Sequence, residues 1–119
     1  MLFNYNNKNF RSVANSKSGE VGAETVFHYH QDGDLVRAEY GGGEIVYGTL
    51  LAKCDTDGTL DMRYQHLNQN GELMTGFCIS RPERLPDGRI RLYEKWQWTS
   101  GDLSAGESVT EEFIDQDPL

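Results

Sequence analysis

The sequence predicts an all-β fold: an antiparallel meander of about eight strands that closes into a small barrel. Two observations lead to this prediction. A tripeptide made of glycine, a usually charged residue and a branched apolar residue recurs seven times, at unequal spacings of 10 to 17 residues. Between these glycines the residues alternate between polar and apolar or form β-rich runs, and no stretch has the apolar spacing and caps of a helix.

The recurring glycines predict tight turns between the strands. Four of them follow a turn-forming residue: Asp32-Gly33, Asp57-Gly58, Asn70-Gly71 and Asp87-Gly88. Asp-Gly and Asn-Gly pairs supply the positive φ angles of hairpin turns without steric cost. The unequal spacing excludes a solenoid of fixed period and suits antiparallel strands of different lengths.

The runs between the turns define the predicted strands. They are Lys8–Ala14, Thr25–Gln31, Asp34–Tyr40, Glu44–Cys54, Thr59–Leu67, Glu72–Arg81, Arg89–Ser100 and Glu107–Ile114. The three prolines lie outside these strands, as an intact ladder requires. The 119 residues have room for a single domain, residues 1–119, with irregular tails expected at 1–7 and 115–119.

Closure of the meander would remove its two exposed edges. The charge distribution favours closure. Residues 1–19 contain Lys8, Arg11 and Lys17 and no acid, whereas residues 96–119 contain six acids and no base. Opposite charges on the first and last strands favour their pairing, by about 0.2–1 kcal/mol per pair.

The composition excludes several classes of protein. The formal net charge is −8, from 19 acidic and 11 basic residues, and it repels the phosphates of nucleic acid. No apolar run approaches the roughly 18–20 residues that span a bilayer. We expect no signal peptide, no membrane partner and a cytoplasmic location. In that reducing compartment Cys54 and Cys78 are expected to be small buried residues, unless their strands are neighbours and form a disulfide.

The alternation in the seventh strand points its two tryptophans inward. One face carries Ile90, Leu92, Glu94, Trp96 and Trp98, and the other is mostly polar. Exposing two tryptophans costs more free energy than exposing polar side chains, so the first face must line the interior. This places the Glu94 carboxyl in an apolar row.

The neighbouring strands supply the other predicted interior residues. The fifth strand offers Leu60, Met62, Tyr64 and His66, the sixth offers Leu73, Thr75, Phe77 and Ile79, and the inward face of the fourth is ambiguous. An eight-stranded barrel is either filled by side chains or holds one small ligand. Because several of these residues are polar, we predict a cavity or buried water instead of a dry core.

The predicted ligand site consists of seven interior residues: Glu94, Trp96, Trp98, Tyr64, His66, Met62 and Phe77. Burial raises the pKa of a carboxyl unless a partner compensates it. Glu94 could therefore act as a general acid or anchor a ligand, or it could be a structural pair with a nearby Arg, Tyr or Trp N–H. No cofactor and no metal are predicted.

Two further clusters have a functional and a structural interpretation. His28 and His30 could hold a divalent metal with His66 or a carboxylate, but a solvent-facing pair opposite inward Phe27 and Tyr29 fits the alternation better. A basic stretch could bind a small anion or form a solvated outer face that pairs with nearby acids. Its members are Arg81, Arg84, Arg89, Arg91 and Lys95.

The sequence resembles a family of small bacterial proteins. The motifs that carry the resemblance are Asp61-Met62-Arg63-Tyr64-Gln65-His66, Gly71-Glu72-Leu73-Met74-Thr75-Gly76 and Trp96-Gln97-Trp98-Thr99-Ser100-Gly101-Asp102. Members often carry the label N-acetylglutamate synthase, which implies acetyl transfer. The chain has neither the Arg/Gln-x-x-Gly-x-Gly/Ala motif of the usual acetyltransferase fold nor a predicted helix to carry it. A looser similarity, to calycin-type barrels such as lipocalins and avidins, rests only on the meander of about eight strands.

Three functions are compatible with these observations. The first is a protein that binds a small, partly apolar or aromatic ligand in the barrel mouth, with Glu94 and His66 orienting it. The second is a small enzyme that uses Glu94 as acid or base beside Tyr64 or His66. The third is an interaction module that uses a sheet edge or an outer face. A cavity of about 300 Å³ or more around Glu94 favours the first two, and a filled core favours the third.

Overall fold

The computed structural model describes residues 3–114 and has the predicted architecture. Eight antiparallel strands follow the chain order around a closed barrel. Their bounds are β1 Lys8–Asn15, β2 Val26–Asp32, β3 Leu35–Gly42, β4 Ile45–Cys54, β5 Leu60–Asn68, β6 Leu73–Arg84, β7 Ile90–Trp98 and β8 Ala105–Phe113. Residues 3–114 include no helix long and apolar enough to cross a membrane. The expected tail at 115–119 lies outside the described residues, as do residues 1–2.

The recurring glycines adopt the backbone conformation that their sequence context predicts. Six of the seven, all within residues 3–114, have positive φ: Gly33, Gly43, Gly58, Gly71, Gly88 and Gly101. The seventh, Gly19, lies in the long connection between β1 and β2, residues 16–25, which is not a hairpin turn. The turn prediction is therefore confirmed at six positions, and the seventh tripeptide has another role.

The barrel closes as predicted, but the charges pair differently from the expectation. Arg11 on β1 lies opposite Glu111 on β8, yet its guanidinium stands over the Phe113 ring, 5.0 Å from the ring centroid. Glu111 pairs instead with Arg91 on β7, at 2.6 Å, and lies 3.7 Å from Arg89. Part of the predicted basic stretch is thus an outer face that pairs with acids on β8.

The strand β6 is longer than predicted and contains a proline. It runs to Arg84, so Pro82 lies inside the strand, opposite Leu92 on β7. The prediction that every proline lies outside the strands is wrong for Pro82. The pairing of β5 with β6 ends at Ser80, so beyond it β6 has a free edge on which a residue without an N–H is tolerated.

A β-bulge resolves the ambiguity of the fourth strand. The register with β5 shifts between Ile45 and Tyr47. Ile45 is buried before the shift, and the buried set continues after it on the other alternation, at Gly48, Leu50, Ala52 and Cys54. Each candidate face therefore points inward along part of the strand, because the bulge adds one residue and so reverses the alternation of inward and outward side chains.

The inward face of β6 is the opposite of the predicted one. Its buried residues are Met74, Gly76, Cys78 and Ser80, whereas Leu73, Thr75 and Phe77 are exposed. Phe77, predicted to line the interior, lies on the outer surface: the residue is 37% exposed, and the Arg63 guanidinium lies 5.6 Å from its ring centroid. The predicted interior position of Phe77 is wrong.

The residues before β1 close one end of the barrel. Residues 3–7 form no strand, but the Tyr5 side chain is fully buried and its hydroxyl donates to the Gly58 carbonyl at 2.6 Å. Its ring packs against Phe10 and Tyr29. Apolar side chains that are completely buried fill the same end, among them Val36, Leu60, Ile90 and Leu92. Any binding site in the barrel must therefore lie toward the other end.

Candidate functional site

A small cavity lies inside the barrel, toward the end opposite Tyr5. Its volume is about 50 Å³. Six of the seven predicted site residues line it: Met62, Tyr64, His66, Glu94, Trp96 and Trp98. The cavity has room for a few water molecules and is well below the roughly 300–1,000 Å³ of ordinary small-molecule sites.

Aromatic rings form one wall of the cavity. The Trp96 and Trp98 rings lie 5.7 Å apart, and Trp98 makes edge contacts with Tyr64 and His66 at 5.8 and 5.6 Å. Both indoles are buried, with 8% and 4% of the residue exposed, which confirms that they face inward. Ring pairs at these separations add to the free energy gained by burial, by about 0.5–1.5 kcal/mol each.

Three inward-facing glycines make room for these large rings. A Cβ would collide with a neighbouring aromatic ring at each of them: Tyr40 at Gly48, Tyr64 at Gly76 and Trp96 at Gly106. Each ring lies across the adjacent strand at a position where that strand has no side chain. The wall of the cavity thus depends on glycines that have no turn function.

The Glu94 carboxyl borders the cavity and is held by two hydroxyls. Ser108 donates to one carboxylate oxygen at 2.9 Å, and Ser80 donates to the other at 3.0 Å. Burial raises the pKa of Glu94 to about 7, and the two hydroxyl donors offset part of that effect. Near neutral pH the group is therefore present in both its protonated and its ionised form.

His66 and Asn68 are buried at the mouth of the barrel and contact a third polar residue. His66 Nδ1 lies 2.9 Å from the Tyr40 hydroxyl, and its Nε2 lies 2.8 Å from Glu20 Oε1. Asn68 Nδ2 donates to Glu20 Oε2 at 3.1 Å. Glu20 is not among the predicted site residues, yet it carries the carboxylate that covers the mouth.

The connection of residues 16–25, which we call the cap loop, lies over the cavity. Its Ser18 carbonyl accepts a hydrogen bond from Trp98 Nε1 at 3.0 Å. Asn15, at the end of β1, accepts one from Trp96 Nε1 at 3.1 Å and donates to the Val21 carbonyl at 2.9 Å. Both indole N–H groups are therefore satisfied at the cap loop or beside it.

The two histidines of β2 lie on the outer face, as the alternation favours. His30 Nε2 lies 2.7 Å from Glu39 Oε1, and His28 Nδ1 lies 2.6 Å from Asn9 Oδ1. No group of three or more His, Cys, Asp or Glu side chains in residues 3–114 is arranged to hold a metal ion. Cys54 and Cys78 are both buried free thiols.

The fold and the cavity define a class: small, closed, eight-stranded antiparallel barrels with an aromatic-walled interior. A family model described as "Avidin-like protein" matches residues 3–113, nearly the whole chain. The chain belongs to this avidin-like family. The match agrees with the calycin-like similarity expected from the strand pattern and does not support the label N-acetylglutamate synthase. Searches of curated proteins and of solved structures gave no match.

Proposed function

We propose that the protein binds a small, partly apolar ligand inside the mouth of the barrel. The observation that carries the proposal is the lining of the cavity, in which an aromatic wall meets the half-buried Glu94 carboxyl, since the closed volume of about 50 Å³ falls short of the size expected for a binding site. Small-molecule sites combine mostly apolar walls with a few placed polar groups in this way. Membership in the avidin-like family supports the proposal, because that barrel fold is one that binds small ligands.

Binding requires the cap loop to move. Gly19, Glu20 and Val21 of the cap loop form part of the cavity lining, and about 50 Å³ is too small for an aromatic molecule. The remaining walls stand on strands and stay in place when the loop withdraws. We therefore treat the described conformation as the closed form of the site.

Each residue of the wall has a role in this proposal. Trp96, Trp98, Tyr64 and Met62 contact the apolar body of the ligand. Glu94 hydrogen-bonds its inner end and can donate or accept near neutral pH, because its pKa lies at about 7. Phe77 takes no part, since its ring faces outward.

An enzyme is the second candidate, and the pKa of Glu94 favours it. A general acid or base works best when its pKa lies near the working pH, and that of Glu94 is about 7. Its test is a screened substrate whose turnover has a bell-shaped pH profile and is abolished in Glu94→Gln. A binding protein would instead keep a ligand in that variant with altered affinity.

A fragment screen followed by tryptophan fluorescence tests the binding function. Cys78→Met places a longer side chain into the cavity, which Cys78 lines. Phe77→Ala is the matched control, because it truncates a residue on the outer face of the same strand. We expect the wild-type protein and Phe77→Ala to bind the same fragments, and Cys78→Met to bind them at least about tenfold more weakly.

Two outcomes would contradict the binding function. Fragments that bind Cys78→Met as tightly as the wild type would lie outside the cavity. A screen without any cavity-dependent fragment would leave the interaction module as the better account, because a cavity of about 50 Å³ is nearly a filled core.

We also propose a cytoplasmic location, since two free buried thiols suit a reducing compartment.

A further inference from the structure

Two buried hydrogen-bond donors stand side by side at the mouth of the barrel. His66 and Asn68 are two residues apart on β5, so both side chains point inward, and each residue is 3% exposed. His66 Nε2 lies 2.8 Å from Glu20 Oε1, and Asn68 Nδ2 donates to Glu20 Oε2 at 3.1 Å. One donor therefore serves each oxygen of a single carboxylate. We call His66 and Asn68 the donor pair.

The orientation of the Asn68 amide is fixed by the β5–β6 turn and does not depend on Glu20. Asn68 Oδ1 accepts the backbone N–H groups of Asn70 and Glu72, at 3.1 and 2.9 Å. The Nδ2 group must therefore point the other way. One of its hydrogens goes to Glu72 Oε1 at 3.0 Å, which leaves the second for Glu20.

The His66 ring is held in the same preformed manner. Its Nδ1 meets the Tyr40 hydroxyl at 2.9 Å, and the ring makes an edge contact with Trp98. A carboxylate can only accept hydrogen bonds, so Nε2 carries the proton whether the ring is neutral or charged. The donor pair is thus a two-point receptor for a carboxylate, built on a strand.

Glu20, by contrast, belongs to a loop. Its side chain is 21% exposed, and the cap loop around it contains Gly19 and Gly22, which allow the backbone many conformations. When the cap loop opens, the donor pair loses its acceptor. In the open form water takes the place of Glu20 at these donors, and a carboxylate that displaces this water accepts stronger, charge-assisted hydrogen bonds, so the open form favours a molecule that brings a carboxylate back to this position.

We propose that the donor pair binds the carboxylate of the ligand, and that Glu20 is a tethered competitor that occupies this position in the closed form. The inference rests on the proposed binding function and names its ligand class: a small monocarboxylic acid with an apolar or aromatic body. A carboxylate on the donor pair places that body against Trp98 and Tyr64. The Glu94 carboxyl at the cavity disfavours a second acidic group there.

The expected effect follows from competition. A side chain tethered by a short loop has an effective concentration of about a millimolar or more at its own site. A free carboxylate must overcome this concentration in the wild-type protein. Removing Glu20 should therefore strengthen the binding of a carboxylate by at least about tenfold, and should do little for a neutral molecule of the same shape.

The experiment compares 3-phenylpropionate with 3-phenylpropanamide, a neutral probe of nearly the same shape, by tryptophan fluorescence. The variants are Glu20→Ala and Glu24→Ala. Glu24 is an exposed acid of the same loop, so its replacement makes the same change in charge without touching the donor pair. We expect only Glu20→Ala to bind the acid at least about tenfold more tightly than the wild type, with no comparable gain for the amide.

A second variant tests the donor pair itself. In the Glu20→Ala background, Asn68→Asp keeps an acceptor for the two backbone N–H groups but replaces the donor by a carboxylate. The double variant should bind 3-phenylpropionate no more tightly than the wild type does. It should bind 3-phenylpropanamide as tightly as Glu20→Ala does. Circular dichroism confirms that the barrel is folded.

Two results would overturn the inference. An equal gain for acid and amide in Glu20→Ala would mean that the cap loop is only a steric cover; the binding function would then stand without a carboxylate subsite. Failure of both probes to bind Glu20→Ala would also exclude this ligand class. The fragment screen described above then decides independently whether the barrel binds ligands at all.

Discussion

The Glu94 carboxyl should make the barrel less stable as the pH rises. Its pKa in the folded protein is about 7, against an ordinary value of 4.5, because it is buried beside an aromatic wall. Below about pH 4.5 the group is protonated in both states and has no effect on stability. Between 4.5 and 7 only the unfolded chain releases the proton, so the free energy of unfolding falls with pH until the loss is complete above 7. A shift of this size corresponds to about 3 kcal/mol.

Urea denaturation at pH 5 and pH 8 tests this prediction. Between these two pH values, we expect the free energy of unfolding to fall by about 2–3 kcal/mol more for the wild-type protein than for Glu94→Gln. Glu107→Gln is the control, because Glu107 is an exposed acid on the neighbouring strand β8. It should keep the pH dependence of the wild type. An unchanged pH dependence in Glu94→Gln would show that the carboxyl is not buried as described.

Three further predictions concern stability and are checked by the same denaturation assay. Trp98→Ala should cost about 3–5 kcal/mol, since it empties a buried position, and near-wild-type stability would show that the indole is not inside. Tyr5→Phe should cost about 1–2 kcal/mol by leaving the Gly58 carbonyl without its buried donor, whereas Tyr47→Phe, at a residue 59% exposed, should cost almost nothing. Phe77→Ala should cost less than about 1 kcal/mol; a loss as large as that of Trp98→Ala would place its ring in the interior.

The turns and the succession of antiparallel strands are predictable from the sequence because their signals are local. Gly33 and Gly58, for example, follow an aspartate and take positive φ, as their dipeptides predict. The β7 face is predictable for a different reason. Trp96 and Trp98 carry so much apolar surface that only one orientation of the strand is acceptable.

The face of β6 is not predictable from that strand alone. Phe77 and Leu73 are more apolar than Gly76 and Cys78, so alternation favours the wrong face. The correct face is decided by rings on the neighbouring strands: a side chain at Gly76 would collide with Tyr64. Contacts of this kind depend on volumes from three strands at once, which a hydrophobic pattern does not contain.

The cap loop and its partners are also invisible to sequence reasoning. Glu20 and His66 are 46 residues apart, and Glu20 lies in a tripeptide that resembles the turn motifs. Nothing local distinguishes it from the turn acids. Only the closed barrel brings the β1–β2 connection over the end of β5. There the Glu20 carboxylate meets His66 Nε2 and Asn68 Nδ2.

Native mass spectrometry of the protein purified from its source tests the central claim most directly. The account predicts one small molecule retained per chain under gentle ionisation, released at higher collision energy and absent from Cys78→Met prepared in the same way. Two results would contradict a ligand held inside the barrel: a wild-type protein that shows only the mass of the polypeptide, or a bound molecule that Cys78→Met retains equally well.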